Sequence, residues 1–204
     1  AREAQHILNH CEAKVVFVED QEQLDKCLLE GEQFLPFVEW IIYDDPKGMR
    51  SYNSPRIIPF QKVLDIGREL NREQPGLFAD KVSLGKLEDV ALISYTSGTT
   101  GLPKGVIISH MNLVSNAAAL LRLDAMGKDD NFLSIIPLPF MGEQTLGVTS
   151  HLLSGFVYNF AEELETIPEN IREICPSTIL SLPRSWETIC SQIQVRVLNA
   201  TAIK

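Results

Sequence analysis

Positive charge is scarce in this sequence. Its 204 residues hold 18 Lys and Arg against 27 Asp and Glu, for a net charge of −9. A surface that neutralises nucleic-acid phosphates must be basic, so the balance excludes nucleic acid as an expected partner. Long apolar runs are missing too, and none approaches the ~20 residues that span a bilayer. The opening residues, Ala1-Arg2-Glu3-Ala4-Gln5-His6, are polar and charged, unlike the apolar centre of a signal peptide. Cysteine is sparse. Cys11, Cys27, Cys175 and Cys190 form no C-x-x-C pair, so neither a zinc ribbon nor a thioredoxin-type motif is expected. Nor do four cysteines in this length make a disulfide scaffold. They read as reduced thiols of a cytoplasmic protein, and peripheral membrane contact stays compatible with the same features. There is no internal repeat and no low-complexity tract.

What is present is an ordinary globular composition, 45% hydrophobic and 22% charged, in a chain long enough to bury a sizeable core. Short apolar runs alternate with helix-period segments. Strands are expected at residues 14–18, 37–43, 90–95, 106–108, 132–136, 156–160 and 177–182. Helices are expected at 21–29, 60–71, 111–123, 143–153, 167–174 and 185–198. An initial helix is expected from the spacing of Ala4, Ile7, Leu8 and Cys11. Ser109 is placed to cap the helix that follows it, and Pro168 to open another. Residues 44–59, with three prolines and a glycine, read as a loop, as do residues 72–89. This alternation predicts an α/β fold, layered αβα with mainly parallel sheets. The chain does not begin with Met, and neither end carries a start or stop signal, so both ends read as cut.

One segment stands apart: Ile93-Ser94-Tyr95-Thr96-Ser97-Gly98-Thr99-Thr100-Gly101-Leu102-Pro103-Lys104-Gly105-Val106. It offers the hydroxyls of Ser94, Thr96, Ser97, Thr99 and Thr100 beside that of Tyr95, and three glycines. Across residues 90–121 the only formally charged side chain is Lys104. Small residues, accessible backbone N–H groups, hydroxyls and one cation suit a phosphate chain. A turn rich in Ser, Thr and Gly is also ordinary loop chemistry. The order of residues separates the two readings. Each fixed letter costs a factor of about 15, so the eight of S-G-T-T-G-x-P-K-G arise by chance about once in 10⁹ positions. The segment is not a Walker A loop, because Gly101 and Lys104 are three apart and Val106-Ile107-Ile108 favour a strand, not a helix.

Residues 95–106 resemble the phosphate-binding signature of the AMP-forming adenylating enzymes, a superfamily that includes acyl-CoA synthetases. Ser109-His110-x-Asn112 resembles its continuation. Pro137-Leu138-Pro139-Phe140-Met141-Gly142-Glu143 is similar to the P-L-x-H-x-x-E segment of the long-chain acyl-CoA synthetases. Residues 176–187 are similar to their P-T-x-x-x-V-P-R-x-W-E segment, and the likeness extends over nearly the whole chain. The resemblance implies that ATP and a carboxylic acid form an acyl-adenylate with release of pyrophosphate, after which the acyl group passes to coenzyme A. It implies Thr96, Ser97, Gly98, Thr99, Thr100, Gly101 and Lys104 as ligands of the ATP phosphates.

Phe140 stands where the family pattern has histidine. If that position lines the acyl site, the contact is a flat apolar ring without a proton donor. Burial in the core is the other reading of this ring. Glu143, the only charged residue across residues 131–161, is a substrate-site candidate or a buried anchor. The downstream Y-G-x-T-E and T-G-D motifs and the later lysine do not occur, so no complete catalytic set is expected in residues 1–204 and acyl-CoA formation by these residues alone is not expected. The resemblance places the magnesium ligand among those later motifs, with no metal site here. It implies a partial N-terminal domain, residues 1–89 forming a first α/β segment and 90–204 the segment with the phosphate loop. Rival readings are an aryl-CoA ligase, a peptide-synthetase adenylation domain, and a non-catalytic nucleotide- or phosphate-binding domain. His6 and His10, four apart with Cys11 beside them, lack the fourth ligand of a structural zinc site. Arg184 and Glu187 are candidates for a salt-bridged corner. Oligomeric state and acyl length have no sequence signal.

Overall fold

The computed structural model describes residues 2–29, 31–96, 101–163 and 165–200. The chain divides into two compact units, residues 1–107 and 108–204. Both are α/β, with parallel sheets.

In the first unit, helix α1 (Arg2–His10) leads to strand β1 (Val15–Val18), helix α2 (Gln21–Leu28), and strands β2 (Trp40–Tyr43) and β3 (Ile57–Pro59). The sheet order is β1-β2-β3, all parallel, with Val16 opposite Ile41 and Ile41 opposite Ile57. Alternation along β1 sets its faces: Val16 and Val18 are buried, Val15 and Phe17 are not. The buried face joins Leu24 and Cys27 of α2, with Leu35, Val38, Ile41 and Met49, in one aliphatic core. On the other face Phe17 meets Phe60, at the start of helix α3 (Phe60–Glu73), edge to face with ring centroids 5.1 Å apart. Helices therefore lie on both faces of this sheet. Asp20 caps α2 by accepting a bond from the Gln23 N–H at 2.9 Å.

Two segments expected to be loops contain regular structure. Residues 44–59 include β3, whose Ile57-Ile58 pair sits between Pro55 and Pro59. Prolines are tolerated because this is an edge strand with one hydrogen-bonding side unpaired. Residues 72–89 include helix α4 (Leu77–Ser83). Its Phe78 is 78% exposed, so no buried stripe marks it in the sequence. The unit ends in strands β4 (Val90–Thr96) and β5 (Lys104–Ser109), which pair as a separate two-stranded sheet; the division between units falls within β5.

The second unit starts with helix α5 (His110–Leu123). A three-stranded sheet follows, made of β6 (Asn131–Ser134), β7 (Val157–Phe160) and β8 (Thr178–Ile179) in the order β7-β6-β8, all parallel. β6 is therefore central, and its Phe132 and Leu133 are fully buried. The strands are shorter than expected because only these residues have ladder partners.

Between β6 and β7, an α-helix was expected over 143–153. The chain instead forms a π-helix over Glu143–Thr149 that passes into α6 (Ser150–Ser154). Side chains follow the wider turn. Thr149 Oγ1 donates to the Gln144 carbonyl at 2.6 Å and Ser150 Oγ to the Thr145 carbonyl at 2.8 Å, both five residues back. Gly155 closes α6 in the left-handed conformation at φ 77°, which suits glycine. Helices α7 (Ile167–Ile174) and α8 (Pro183–Ala200) complete the unit, with Pro168 in the first turn of α7.

Candidate functional site

The signature runs from the end of β4 to the start of β5. Thr96 ends β4 and is exposed, and Lys104 opens β5 and is exposed. Gly101 has open space where a Cβ would stand, so its backbone is accessible. Ser97, Gly98, Thr99 and Thr100 lie outside the described residues. Gly105 has a different duty. A Cβ there would stand 2.8 Å from Ile93 Cγ2 and 3.2 Å from Tyr95 Cζ, so this glycine lets β5 lie close against side chains of β4.

Two histidines of α1 reach the ends of this turn. His6 Nε2 lies 3.2 Å from the Pro103 carbonyl, and His10 Nδ1 lies 2.7 Å from the Tyr95 hydroxyl. The two rings lie next to each other on the helix, centroids 5.6 Å apart. They are engaged with the hairpin, and among the described residues no three His, Cys, Asp or Glu side chains group as a metal site. Burial raises the Tyr95 hydroxyl above its ordinary pKa, and the neighbouring Cys11 thiol adds to the rise.

Ser109 and Asn112, the continuation of the signature, form a capping box at the start of α5. The Asn112 N–H donates to Ser109 Oγ at 3.2 Å, and the Ser109 N–H donates to Asn112 Oδ1 at 3.0 Å.

In the second unit Glu143 is fully buried at the first residue of the π-helix. The Tyr158 hydroxyl donates to Glu143 Oε1, whereas Oε2 has no partner among the described residues. Burial first, and then this bond, push Tyr158 up to about 12. Gly147 makes room for the pair: a Cβ there would stand 2.7 Å from Oε1 and 2.8 Å from the Tyr158 hydroxyl. Tyr158 is stacked between Phe132 and His151, with centroids 5.6 and 5.7 Å away. A lone acid in an apolar stretch requires a buried donor. The sequence signal for Tyr158 was that requirement, with Tyr158 the one phenol in the following strand.

Phe140 sits in the turn before the π-helix and is 50% exposed, so burial in the core does not account for it. Arg184, Trp186 and Glu187 lie on the exposed first turns of α8, and Arg184 makes no ion pair with Glu187 among the described residues. The salt-bridged corner expected there does not form among the described residues.

Two α/β units with parallel sheets, and a segment of hydroxyls, glycines and one lysine between two paired strands, place the chain in the α/β class. Comparison with known proteins specifies it. The sequence profile of the family described as AMP-binding enzyme matches residues 1–203, and the chain belongs to that family. It is 28% identical over 212 residues to the long-chain-fatty-acid–CoA ligase ACSBG2 of Rattus norvegicus, with all of this chain and 31% of the relative aligned. The Gallus gallus ACSBG2 is 30% identical over 193 residues, which cover 90% of this chain and 24% of the relative. The chain thus spans about a third or less of the length of these curated relatives. Among solved structures, a long-chain-fatty-acid–CoA ligase (FadD1) from Archaeoglobus fulgidus aligns at a TM-score of 0.67 and 25% identity, over 94% of this chain and 35% of that one. The adenylation domain of a carboxylate reductase from Mycobacterium chelonae aligns at 0.72 and 18% identity, over 98% of this chain and 32% of that one, a likeness of fold. No helix among the described residues is long and apolar enough to cross a membrane.

Proposed function

We propose that this chain is the ATP-phosphate-binding part of an acyl-CoA synthetase that activates a long-chain fatty acid. A carboxylate oxygen attacks the α-phosphorus of ATP, the bond to the β-phosphate oxygen breaks, and pyrophosphate leaves. The thiolate of coenzyme A then attacks the acyl carbonyl, and AMP leaves. In this reading Thr96, Ser97, Thr99 and Thr100 hydroxyls and the N–H groups around Gly98 and Gly101 donate to the β- and γ-phosphates. Lys104 offsets charge that develops on the leaving pyrophosphate, an electrostatic role without proton transfer. The observation that carries the reading is the placement of Thr96 and Lys104, both exposed, at the end of β4 and the start of the paired β5 in a chain of this family. The long-chain ligases among the relatives support the substrate class. Phe140, half exposed, and Glu143, whose N–H donates to the Phe140 carbonyl at 3.0 Å, are assigned to the substrate site.

The test is ATP–pyrophosphate exchange by the full-length protein with a panel of short, long and aromatic carboxylic acids. Exchange strongest with long chains is the expected result. Lys104→Ala is expected to lower exchange about 10- to 100-fold, less than the roughly 2.7–4 kcal/mol lost with a buried oxyanion donor, because this lysine is exposed. Unchanged exchange in this variant would remove the phosphate role from the turn. Exchange strongest with aromatic acids would move the protein to the aryl-CoA ligases, and phosphate binding without any exchange would make it a non-catalytic nucleotide-binding protein.

A further inference from the structure

We infer that His6 and His10 are positioning residues that hold the two ends of the phosphate turn from outside it; this inference rests on the phosphate role proposed for that turn. The signature is rich in glycine, which loses much conformational freedom on ordering, and the strands that flank it pair as a sheet of two strands among the described residues. A phosphate ligand must bear that ordering cost unless the protein orders the turn beforehand.

Helix α1 is built to do this. Two neighbouring stripes of its surface, each a pair four residues apart, face different structures. Gln5 and Asn9 form the first stripe. The buried Gln5 amide donates to the Cys27 carbonyl of α2 at 3.2 Å, and the Asn9 amide donates to the Phe34 carbonyl at 2.8 Å. These bonds fix α1 to the layer that covers the three-stranded sheet. His6 and His10 form the second stripe. His6 is bonded to Pro103, next to Lys104, and His10 to Tyr95, next to Thr96. The helix is thus a strut between the sheet layer and both ends of the turn.

The chemistry of the partners sets the proton positions. A carbonyl only accepts, so His6 carries its proton on Nε2 to donate to Pro103. A phenol can donate or accept, so the His10–Tyr95 bond persists with the proton on either atom. The His10 and Tyr95 rings also meet edge to face, with centroids 5.7 Å apart.

The experiment uses the full-length protein with His6→Ala and His10→Ala, and with His6→Gln and His10→Asn, which keep a polar group near the bonded nitrogen. Two readouts are taken. The first is amide hydrogen exchange over the segments that flank the turn, which reports whether or not the protein adenylates. The alanine variants are expected to exchange faster there, by about 3- to 10-fold each, the worth of one net hydrogen bond, with the core of the first unit unchanged. The second is steady-state kinetics: KM for ATP is expected to rise about 3- to 10-fold per alanine, with KM for the carboxylic acid unchanged and recovery in the Gln and Asn variants. Unchanged hydrogen exchange in both alanine variants overturns the inference. So does faster exchange with an unchanged KM for ATP, or an equal rise in both KM values with no recovery in the Gln and Asn variants. A wild-type protein without ATP–pyrophosphate exchange defeats the proposed function instead; the hydrogen-exchange result then decides on its own whether the histidines hold the turn.

Discussion

The two three-stranded parallel sheets follow one β–α–β plan and fill their cores differently. The first, in order β1-β2-β3, closes over Val16, Val18, Leu24, Leu35, Val38 and Ile41, an aliphatic core with no buried acid among the described residues. The second, in order β7-β6-β8, closes over Phe132, Phe156 and Met126, and beside them buries Glu143, Thr145, Thr149 and Ser150. Aliphatic side chains leave nothing to satisfy, so a regular α2 can cover the first sheet. Buried polar groups must each find a partner. In the second unit Thr149 and Ser150 find theirs in carbonyls of the π-helix, Thr145 in the Met141 carbonyl just before it, and Glu143 in Tyr158. The irregular helix is where the second core stops being a packing problem and becomes a hydrogen-bonding one. π-Helical turns are frequent at functional sites.

Core truncation has the largest expected effect and tests whether the cores are independent. Phe156→Ala is expected to destabilise the second unit by about 3–5 kcal/mol, and Leu24→Ala the first by about 2–5 kcal/mol. Both side chains are fully buried. Hydrogen exchange resolved by unit is the measurement, and loss of protection in both units from either variant would merge the two cores into one.

Tyr158→Phe comes next. It leaves the buried Glu143 carboxyl without its hydroxyl partner and is expected to cost about 1–3 kcal/mol. Combining it with Glu143→Met removes both polar groups and is expected to recover most of that loss. The pH dependence follows from the raised Tyr158 hydroxyl. The folded chain holds this proton more tightly than the unfolded chain, so stability is fully present below pH 10 and is lost as pH rises through about 12. Denaturant titrations across that range should show the slope in the wild type and its loss in Tyr158→Phe. An equal slope in both would assign the alkaline sensitivity to other groups.

Gly147→Ala introduces a methyl group into the space held by the carboxyl and the hydroxyl, and is expected to cost about 1–3 kcal/mol through overpacking. A wild-type melting temperature in this variant would mean that the Glu143–Tyr158 pair moves apart easily.

The smallest effect on stability belongs to Phe140→Ala, within about 0.5 kcal/mol because the ring is half exposed. Its effect on kcat/KM is expected to differ between short and long acyl chains. A fall of about 3–5 kcal/mol with equal loss for every acid would return Phe140 to the core.

Much of this organisation was legible from local chemistry. Val15 to Val18 read as a strand because four apolar, mostly β-branched residues leave few alternatives. Ser109 read as a cap from its place before a helical period, and it forms one. The edge strand β3 and the exposed helix α4 were not legible. A two-isoleucine strand between prolines becomes one only beside β2, and an exposed helix has no apolar stripe to show. Phe140 was open between packing and pocket because sequence neighbours do not report exposure. His6 and His10 suggested at most an incomplete metal site, since their partners Pro103 and Tyr95 lie more than 80 residues away.

The sequence by itself determined the α/β class, the phosphate signature and the isolation of Lys104 and Glu143 as lone charges in apolar stretches. These depend on residue order and composition, which neighbouring residues display. Tertiary structure alone decided that α1 reaches the ends of the signature turn, that Gly105 and Gly147 are required by close approach, and that Glu143 is held by a phenol fifteen residues on. Each of these is a contact between segments brought together by burial of apolar surface. Burial is non-directional, so it leaves no local pattern from which a partner can be read.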